Sequence, residues 1–519
     1  MKKRIIVAVA LSAAIFVLVI SGECQSLAVN VNNTSTGSFA ANANGKLPDK
    51  ASIIKTMRLV NDYWLNYGYV YGEPSWPQSV YSIGNMAMYD LTKDKKYLQY
   101  SIDWSESNEW KTFNSYETYG PTDFADFQAC GQTYLDIYKI KKDPKMIKML
   151  KEGVDKQLTT DQVDNWCWID AIFMAGPMFA QMGELFNDKR YFDKMYALYE
   201  DNKVKRQLYD SAEGLWYNRR DRDTDFMYPG FKTANGFKCF WSRGNGWVFA
   251  AHALILSHLP KDDPHRDEYI STFQSMAATL KKVQREDGFW RASLYDYAEC
   301  PNPESSGTSL FAYGMAWGID NGYLDYSTYY PCVAKAWNGL IKDAVHPDGV
   351  LGYVQAAGNR PVATTYGTTK DYGVGVFLLA GSEIAKLSEL LAPNTTATPK
   401  PTPTPAKIII KINNKTIKTP YDPILVSNAV LVPAEAISKS LGAKYIWNSK
   451  TKSLTISKSK VSIFMKIDSK TAKINGKLAA LLAAPRYSKV PYVPIQFLAE
   501  KLGYRYKFDA KAKVAAINK

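Results

Sequence analysis

The sequence predicts a mainly α-helical protein, an α/α toroid of paired helices followed by a small α+β C-terminal domain. Three observations carry that expectation. Six apolar segments rich in small residues recur along the body, and each of the first five is followed by a polar turn and a more amphipathic stretch. Clear strand alternation is missing from the body. The tail repeats itself at an offset of 61 positions, each copy reading as a short helix and then a β-hairpin.

Taken in chain order, 519 residues exceed one ordinary core and imply two or three domains. Met1-Lys2-Lys3-Arg4 is basic, Ile5 to Ile20 is an uninterrupted apolar run, and Ser26-Leu27-Ala28 offers small residues for cleavage. Residues 1–28 therefore read as a secretory signal peptide, and the mature chain is expected to be secreted or associated with the cell wall. The apolar run is short for a membrane span and no later segment is long enough, so no span is expected in the mature protein. Glu23 stands where a lipoprotein anchor at Cys24 would need a small residue. Residues 29–47, rich in Asn, Ser, Thr and Gly, read as a flexible leader. Residues 48–392 form the body, 393–405 a Pro/Thr linker, and 406–519 the tail.

The six segments of the body are Gln78–Leu91, Ala125–Tyr138, Ile169–Leu185, Gly244–His258, Ser306–Gly318 and Asp371–Leu387. Their small residues permit close packing, and their all-round apolarity suits an inner ring. The amphipathic stretches between them, such as Tyr191 to Tyr199, suit an outer one. A further amphipathic stretch, Ser52 to Tyr67, precedes the first segment. In such a ring the starts of the inner helices and their preceding loops line one open end. In the tail, Val432-Pro433, Leu441-Gly442, Trp447-Asn448, Lys452 and Ile456 recur as Val493-Pro494, Leu502-Gly503, Phe508-Asp509, Lys513 and Ile517.

The net charge of +14 is uneven. From Ala406 onward 22 Lys and Arg face 5 Asp and Glu, a balance of +17, which leaves −3 for the rest. A basic exported module suits either an anionic cell-wall polymer or simply a solvated Lys-rich surface, and nucleic acid is a poor partner for an exported chain. The five cysteines beyond the signal peptide are odd in number and form no C-x-x-C pair, so a disulfide framework and a zinc site are both unexpected. The four histidines lack metal-ligand spacing, and there is no nucleophile elbow, Walker loop or dinucleotide fingerprint. Neither a metal nor an organic cofactor is expected.

The chemistry concentrates at four inner-segment starts. Phe240-Trp241-Ser242-Arg243-Gly244-Asn245-Gly246-Trp247 crowds two indoles and a guanidinium together. Indole faces stack on sugar rings and a guanidinium grips a carboxylate, so the stretch reads either as an acidic-sugar pocket or as a helix entry with core tryptophans. Asp123-Phe124-Ala125-Asp126-Phe127 and Asp164-Asn165-Trp166-Cys167-Trp168-Ile169-Asp170 supply carboxyls. Asp170, flanked by apolar groups, has the surroundings that raise a carboxyl pKa and suit a general acid; each Asp could instead cap a helix. Glu304-Ser305-Ser306-Gly307-Thr308 reads as a capping motif or a sugar-bonding one.

Together these motifs resemble the unsaturated glucuronyl and rhamnogalacturonyl hydrolases, glycoside hydrolase family 105 in particular, over about Ser52 to Leu391. The carriers are the run Ala125–Tyr138, Trp168–Met174, Trp241–Trp247 and Glu304–Thr308, in that order. The resemblance implies a six-hairpin toroid and an unusual hydrolysis that hydrates the C4=C5 double bond left on a uronic acid by a lyase. It makes Asp170 the general acid/base and Asp126 its support. It makes Trp168, Trp241 and Trp247 walls of the sugar site, and gives Arg243 a uronate carboxylate or a nearby carboxyl. Asn245 would bind a hydroxyl or shape the turn. Many members have a His where this chain runs Leu215-Trp216-Tyr217-Asn218-Arg219-Arg220-Asp221, so Arg219 or Arg220 could contact the carboxylate instead. The expected partner is an unsaturated acidic oligosaccharide, with unsaturated rhamnogalacturonan disaccharide first. The tail resembles the copper amine oxidase N-terminal-like module, without implying copper, since it holds no His or Cys. Two rivals remain: another toroid glycosidase acting on saturated glycans, and a wall-attached sugar-binding protein without catalysis.

Overall fold

The computed structural model describes residues 45–67, 72–113, 123–219, 229–391, 408–426, 429–467, 469, 471–488, 490–509 and 514–519. The expected signal peptide, the linker, most of the leader and Arg220 lie outside the described residues. The chain divides into two compact units, 1–393 and 394–519.

The first unit is built of helices: α1 (Lys50–Tyr67), α2 (Trp76–Thr92), α3 (Lys95–Ser107), α4 (Ala125–Gln128), α5 (Cys130–Lys141), α6 (Lys148–Leu158) and α7 (Asp170–Met174). It continues with α8 (Gly176–Phe186), α9 (Lys189–Glu200), α10 (Ser242–His258), α11 (Arg266–Val283), α12 (Ser305–Asp320), α13 (Tyr326–Gly339) and α14 (Asp371–Leu391). Each of the six apolar segments has become an inner helix, two of them broken near their starts into α4–α5 and α7–α8. These helices touch in cyclic order: α2 meets α5, α5 meets α8, then α10, α12 and α14, and α14 returns to α2. The amphipathic helices pack outside, α3 on α2, α9 on α8, α11 on α10, α13 on α12 and α1 on α14. α6 lays Leu150 against Gly131 of α5.

Burial follows the sequence pattern. Every residue from Ser305 to Gly318 of α12 is buried, whereas α6 buries only Leu150, Val154 and Gln157. The polar turns end one helix and begin the next. Lys93 and Asn187 take left-handed conformations after α2 and α8, and Asp94 and Asp188 then cap α3 and α9 through the backbone N–H of Lys96 and Arg190. Strand content in this unit is confined, among the described residues, to two-residue pairs and isolated bridges, such as Leu215–Trp216 with Tyr209–Asp210.

The second unit is strand-rich. Its helices α15 (Ala434–Ser440) and α16 (Ile495–Lys501) stand 61 positions apart, and each precedes a hairpin: Lys444–Asn448 with Ser453–Lys458, and Arg505–Asp509 with Val514–Asn518. The equivalent residues Ile456 and Ile517, and Val432 and Val493, are fully buried in one core. All five described cysteines are free thiols.

Contact between α2 and α14 closes the inner ring, and it depends on two glycines. A Cβ on Gly84 would stand 2.0 Å from the Gly375 carbonyl oxygen, and one on Gly375 would stand 2.3 Å from the Val80 oxygen. Backbone atoms cannot swing aside as side chains do. Gly375→Val should therefore cost about 3 kcal/mol, the upper end of overpacking, read as a lowered midpoint in thermal or denaturant unfolding. A midpoint equal to the parent's would show that the helices slide apart freely.

Candidate active site

The starts of the inner helices are tied together by side chains, and the carboxyls lie among them. Asp126 sits in the first turn of α4 and Asp170 is the first residue of α7. Each is partly exposed at its edge and otherwise surrounded by protein. Burial pushes the Asp126 carboxyl up to about 8, the Asp170 charge adds to the rise, and Arg219 opposes it. Burial pushes Asp170 up to about 7, with the Arg243 guanidinium pulling the other way. Asp170 Oδ1 is buried with no hydrogen-bond partner. A buried carboxylate oxygen left unpaired is costly, whereas a carboxylic acid tolerates the position. The pair therefore holds a proton near neutral pH.

None of the three aspartates caps a helix. Phe124 and Ile169 occupy the cap positions of α4 and α7. Asp123 accepts from Asn165 Nδ2 at 2.6 Å and so ties the loop before Asp126 to the loop before Asp170. Glu304, in contrast, is a cap: its carboxylate accepts from the backbone N–H of Ser306 at 3.1 Å and of Gly307 at 2.6 Å, and it is fully buried.

Arg243 is fully buried. Its guanidinium lies 4.7 Å from the Trp241 ring and 5.0 Å from that of Tyr372. It donates to the carbonyls of Gln355 at 2.8 Å and Ala356 at 3.0 Å. These neutral acceptors leave its charge uncancelled, and Asp170 feels it. Arg243 thus bears on a nearby carboxyl through charge alone, without a direct hydrogen bond to it.

Gln355 joins the helix starts. Its backbone N–H donates to Glu304, its carbonyl accepts from Arg243 and Tyr372, its Oε1 accepts from Trp241 Nε1 at 3.1 Å, and its Nε2 donates to the Arg360 carbonyl. Nothing in the sequence marked it, because most of its bonds run to or from backbone groups.

Asn245 shapes backbone. Its Oδ1 accepts from Trp216 N–H at 2.8 Å, and its Nδ2 donates to the carbonyls of Trp216 and Trp241, both at 3.0 Å. That grip fixes the strand carrying Arg219. Further along the strand the Asn218 carbonyl accepts from Ile169 N–H, Asn218 Nδ2 donates to the Asn359 carbonyl, and Arg219 bridges Trp168 through backbone.

Two expectations for the tryptophans need correction. Trp247 is fully buried, 4.7 Å from Phe173 and 6.5 Å from Trp76, and belongs to the core rather than to a sugar wall. Trp241 is 1% exposed and backs Arg243. Both follow an apolar helix inward, where an indole gains most by burial. Trp168 shows only an edge, under the exposed Phe124 whose ring lies 4.7 Å away. Half-buried Trp76, 4.8 Å from Tyr372, is the aromatic that sequence reasoning missed. Its place at the start of the first apolar segment was the available signal. Asp371, held up by burial and bonded to Gln78 Nε2 at 3.1 Å, lies at the start of α14 next to Tyr372.

Comparison with known proteins places this arrangement. Residues 52–388 match the model for Glycosyl Hydrolase Family 88, and residues 411–517 match that for the copper amine oxidase N-terminal domain. An unsaturated 3S-rhamnoglycuronyl hydrolase from Formosa agariphila is 34% identical over 334 residues, which cover 60% of this chain and 85% of that protein. A solved family 88 glycosyl hydrolase from Bacteroides vulgatus is 37% identical with a TM-score of 0.62, covering 66% of this chain and all of that one. A solved structure described as a polysaccharide lyase is similar at 36% identity and TM-score 0.62, covering 66% and 99%. The motif resemblance drawn from the sequence points to the same group, and the chain belongs to glycosyl hydrolase family 88 as an enzyme, a glycosidase.

Proposed function

We propose that this chain removes a Δ4,5-unsaturated uronic acid from lyase-generated acidic oligosaccharides of the pectin and rhamnogalacturonan kind, by hydrating the C4=C5 bond. The observation that carries the reading is the largely enclosed Asp126–Asp170 pair, with an Asp170 carboxyl pushed up to about 7. Asp170 donates that proton to C4 of the enol ether. Positive charge develops at C5 and the ring oxygen, and the Asp170 carboxylate takes a proton from the water that adds at C5. The resulting hemiketal opens and releases the neighbouring sugar, and Asp170 ends protonated as it began. Asp126, protonated while Asp170 is charged, avoids a second anion beside the first. Arg219 acts electrostatically on Asp126 and Arg243 on Asp170. The 34% identical relative, named for an unsaturated rhamnoglycuronyl substrate, supports a rhamnose-linked uronyl unit. The cyclic contacts of the inner helices support a six-hairpin toroid as the frame.

Ultraviolet absorbance of the conjugated double bond distinguishes the readings. The parent enzyme should bleach unsaturated rhamnogalacturonan disaccharide, and Asp170→Asn should be slower by at least about a thousandfold. Absorbance that rises on a polymer instead would favour a lyase, the description carried by one similar structure. No change on rhamnogalacturonyl, glucuronyl and galacturonyl substrates, with turnover of a saturated oligosaccharide, would favour the saturated-glycan rival. Binding without turnover would favour a sugar-binding protein.

The pH dependence has a defined sign. The step begins with protonated Asp170, so kcat/KM should be sustained below about pH 7 on that limb and fall as pH rises through it. Arg243 lowers the Asp170 pKa, so Arg243→Gln should move the alkaline limb to higher pH while reducing the maximum. A limb that stays in place in both enzymes would assign it to another group.

We further propose that the protein is exported after cleavage at Ala28. Protein recovered from the culture medium should then begin at Val29. Material confined to cells and starting at Met1 would overturn export.

A further inference from the structure

The second unit holds a cavity of about 610 Å³ lined by Trp447, Ser449, Lys452, Ile467, Arg486 and Tyr487. Trp447 lies on the strand Lys444–Asn448, the edge of a five-stranded sheet, and Tyr487 lies on Arg486–Ser488, the edge of a four-stranded one. Their rings are near parallel, with centroids 5.7 Å apart and an angle of 15° between planes, and Tyr487 is 56% exposed. Among the described residues the lining has two cations and no carboxylate.

From this we infer that the cavity is a binding site for a carboxylated polysaccharide, a polyuronate whose sugar faces lie on the Trp447–Tyr487 platform while its carboxylates meet Arg486 and Lys452. The exposed ring of Tyr487, held near-parallel to Trp447, offers a flat apolar face, and such a face is what CH-rich sugar surfaces seek. A guanidinium binds a carboxylate through two parallel N–H groups, and an ammonium adds an unoriented charge.

The internal repeat separates this site from scaffold. Shifted by 61 positions, the core residues keep their identity or size: Val432 and Val493, Leu441 and Leu502, Ile456 and Ile517. The cavity residues do so only in part. Trp447 corresponds to Phe508 and Lys452 to Lys513, but Ser449 corresponds to Ala510, Arg486 to Leu425 and Tyr487 to Val426. The first copy has no guanidinium or phenol where the second carries Arg486 and Tyr487, and the second has no indole where the first carries Trp447. An exposed tyrosine contributes little to a core it does not enter. Glu435 bears on Tyr445, two residues before Trp447, and is not part of the lining.

The test uses the full chain carrying Asp170→Asn, so that bound sugar is not turned over, with saturated polygalacturonate titrated by calorimetry at low and high salt. Trp447→Ala and Arg486→Gln should each weaken binding by about tenfold, and Tyr487→Phe, which keeps the ring, should leave it near the parent's. Lys477→Gln, an equal loss of charge on the far edge strand of the same sheet, should change it by less than about twofold, and salt should weaken all of them. Melting curves of Arg486→Gln and Tyr487→Phe should match the parent's, since these side chains are exposed, whereas Trp447 packs partly against the core and Trp447→Ala should lower the midpoint while the chain stays folded at the titration temperature. Three outcomes would overturn the proposal: no binding by the parent, binding unchanged in Trp447→Ala, or poly-aspartate or a phosphate-backbone wall polymer bound as tightly as polygalacturonate.

Discussion

Two carboxyl groups cannot both be ionised in one poorly solvated place, and the site of this protein is arranged around that constraint. Asp126 and Asp170 are both raised by burial, and the Asp170 charge raises Asp126 further. Each has one cation opposing the rise, Arg219 for Asp126 and Arg243 for Asp170. Carboxyls raised by burial disfavour the folded state as pH climbs: their contribution is intact below the unfolded pKa near 4 and is lost as pH rises through the folded values. The toroid must tolerate this strain, and the dense contacts among its inner helices are what tolerate it.

The positioning of the two cations follows from the same need. Arg243 would be neutralised if it were paired directly with a carboxylate in a salt bridge. Carbonyls from Gln355 and Ala356, and the faces of Trp241 and Tyr372, solvate it without cancelling its charge. Arg219 reaches the pair because Asn245 clamps Trp216 three residues earlier, and because the strand is stitched to Ile169 on one side and Asn359 on the other. A side chain distant from any reacting atom, such as Asn245 or Gln355, thereby sets where the charges stand.

This division explains what could be read from the sequence. The six inner segments were legible because a helix buried on all sides must be apolar all round, and the pattern survives in any order of packing. Asp126 and Asp170 were legible because a carboxyl next to Ala125, Trp168 and Ile169 has few reasons to be there apart from chemistry or capping, and the structure removes capping. Trp241 and Trp247 were misplaced because an indole at a helix start looks the same in sequence whether it faces a ligand or a core. The loop from Gln355 to Arg360 was invisible because it acts largely through carbonyls, which every residue has. Charge placement was only half legible: Arg243 stood out, while the carbonyls of Gln355 and Ala356 that hold it did not.

The two units divide electrostatic labour in a way that follows from their composition. Apart from the basic tail the chain carries a balance of −3, so no long-range field from the body draws in a polyanion. Its 42 Lys and Arg are outweighed by 45 Asp and Glu, and two of those cations, Arg219 and Arg243, act on Asp126 and Asp170. Adding surface lysines around the catalytic mouth would attract acidic glycans, but it would also lower carboxyl pKa values that must stay high for Asp170 to be an acid near neutral pH. The excess positive charge of this chain, +17, lies instead in the second unit and not in the one that carries Asp126 and Asp170. Attraction of a polyanion and proton transfer make opposite demands on local charge, and the composition assigns the net positive charge and the proton-transfer pair to different folding units.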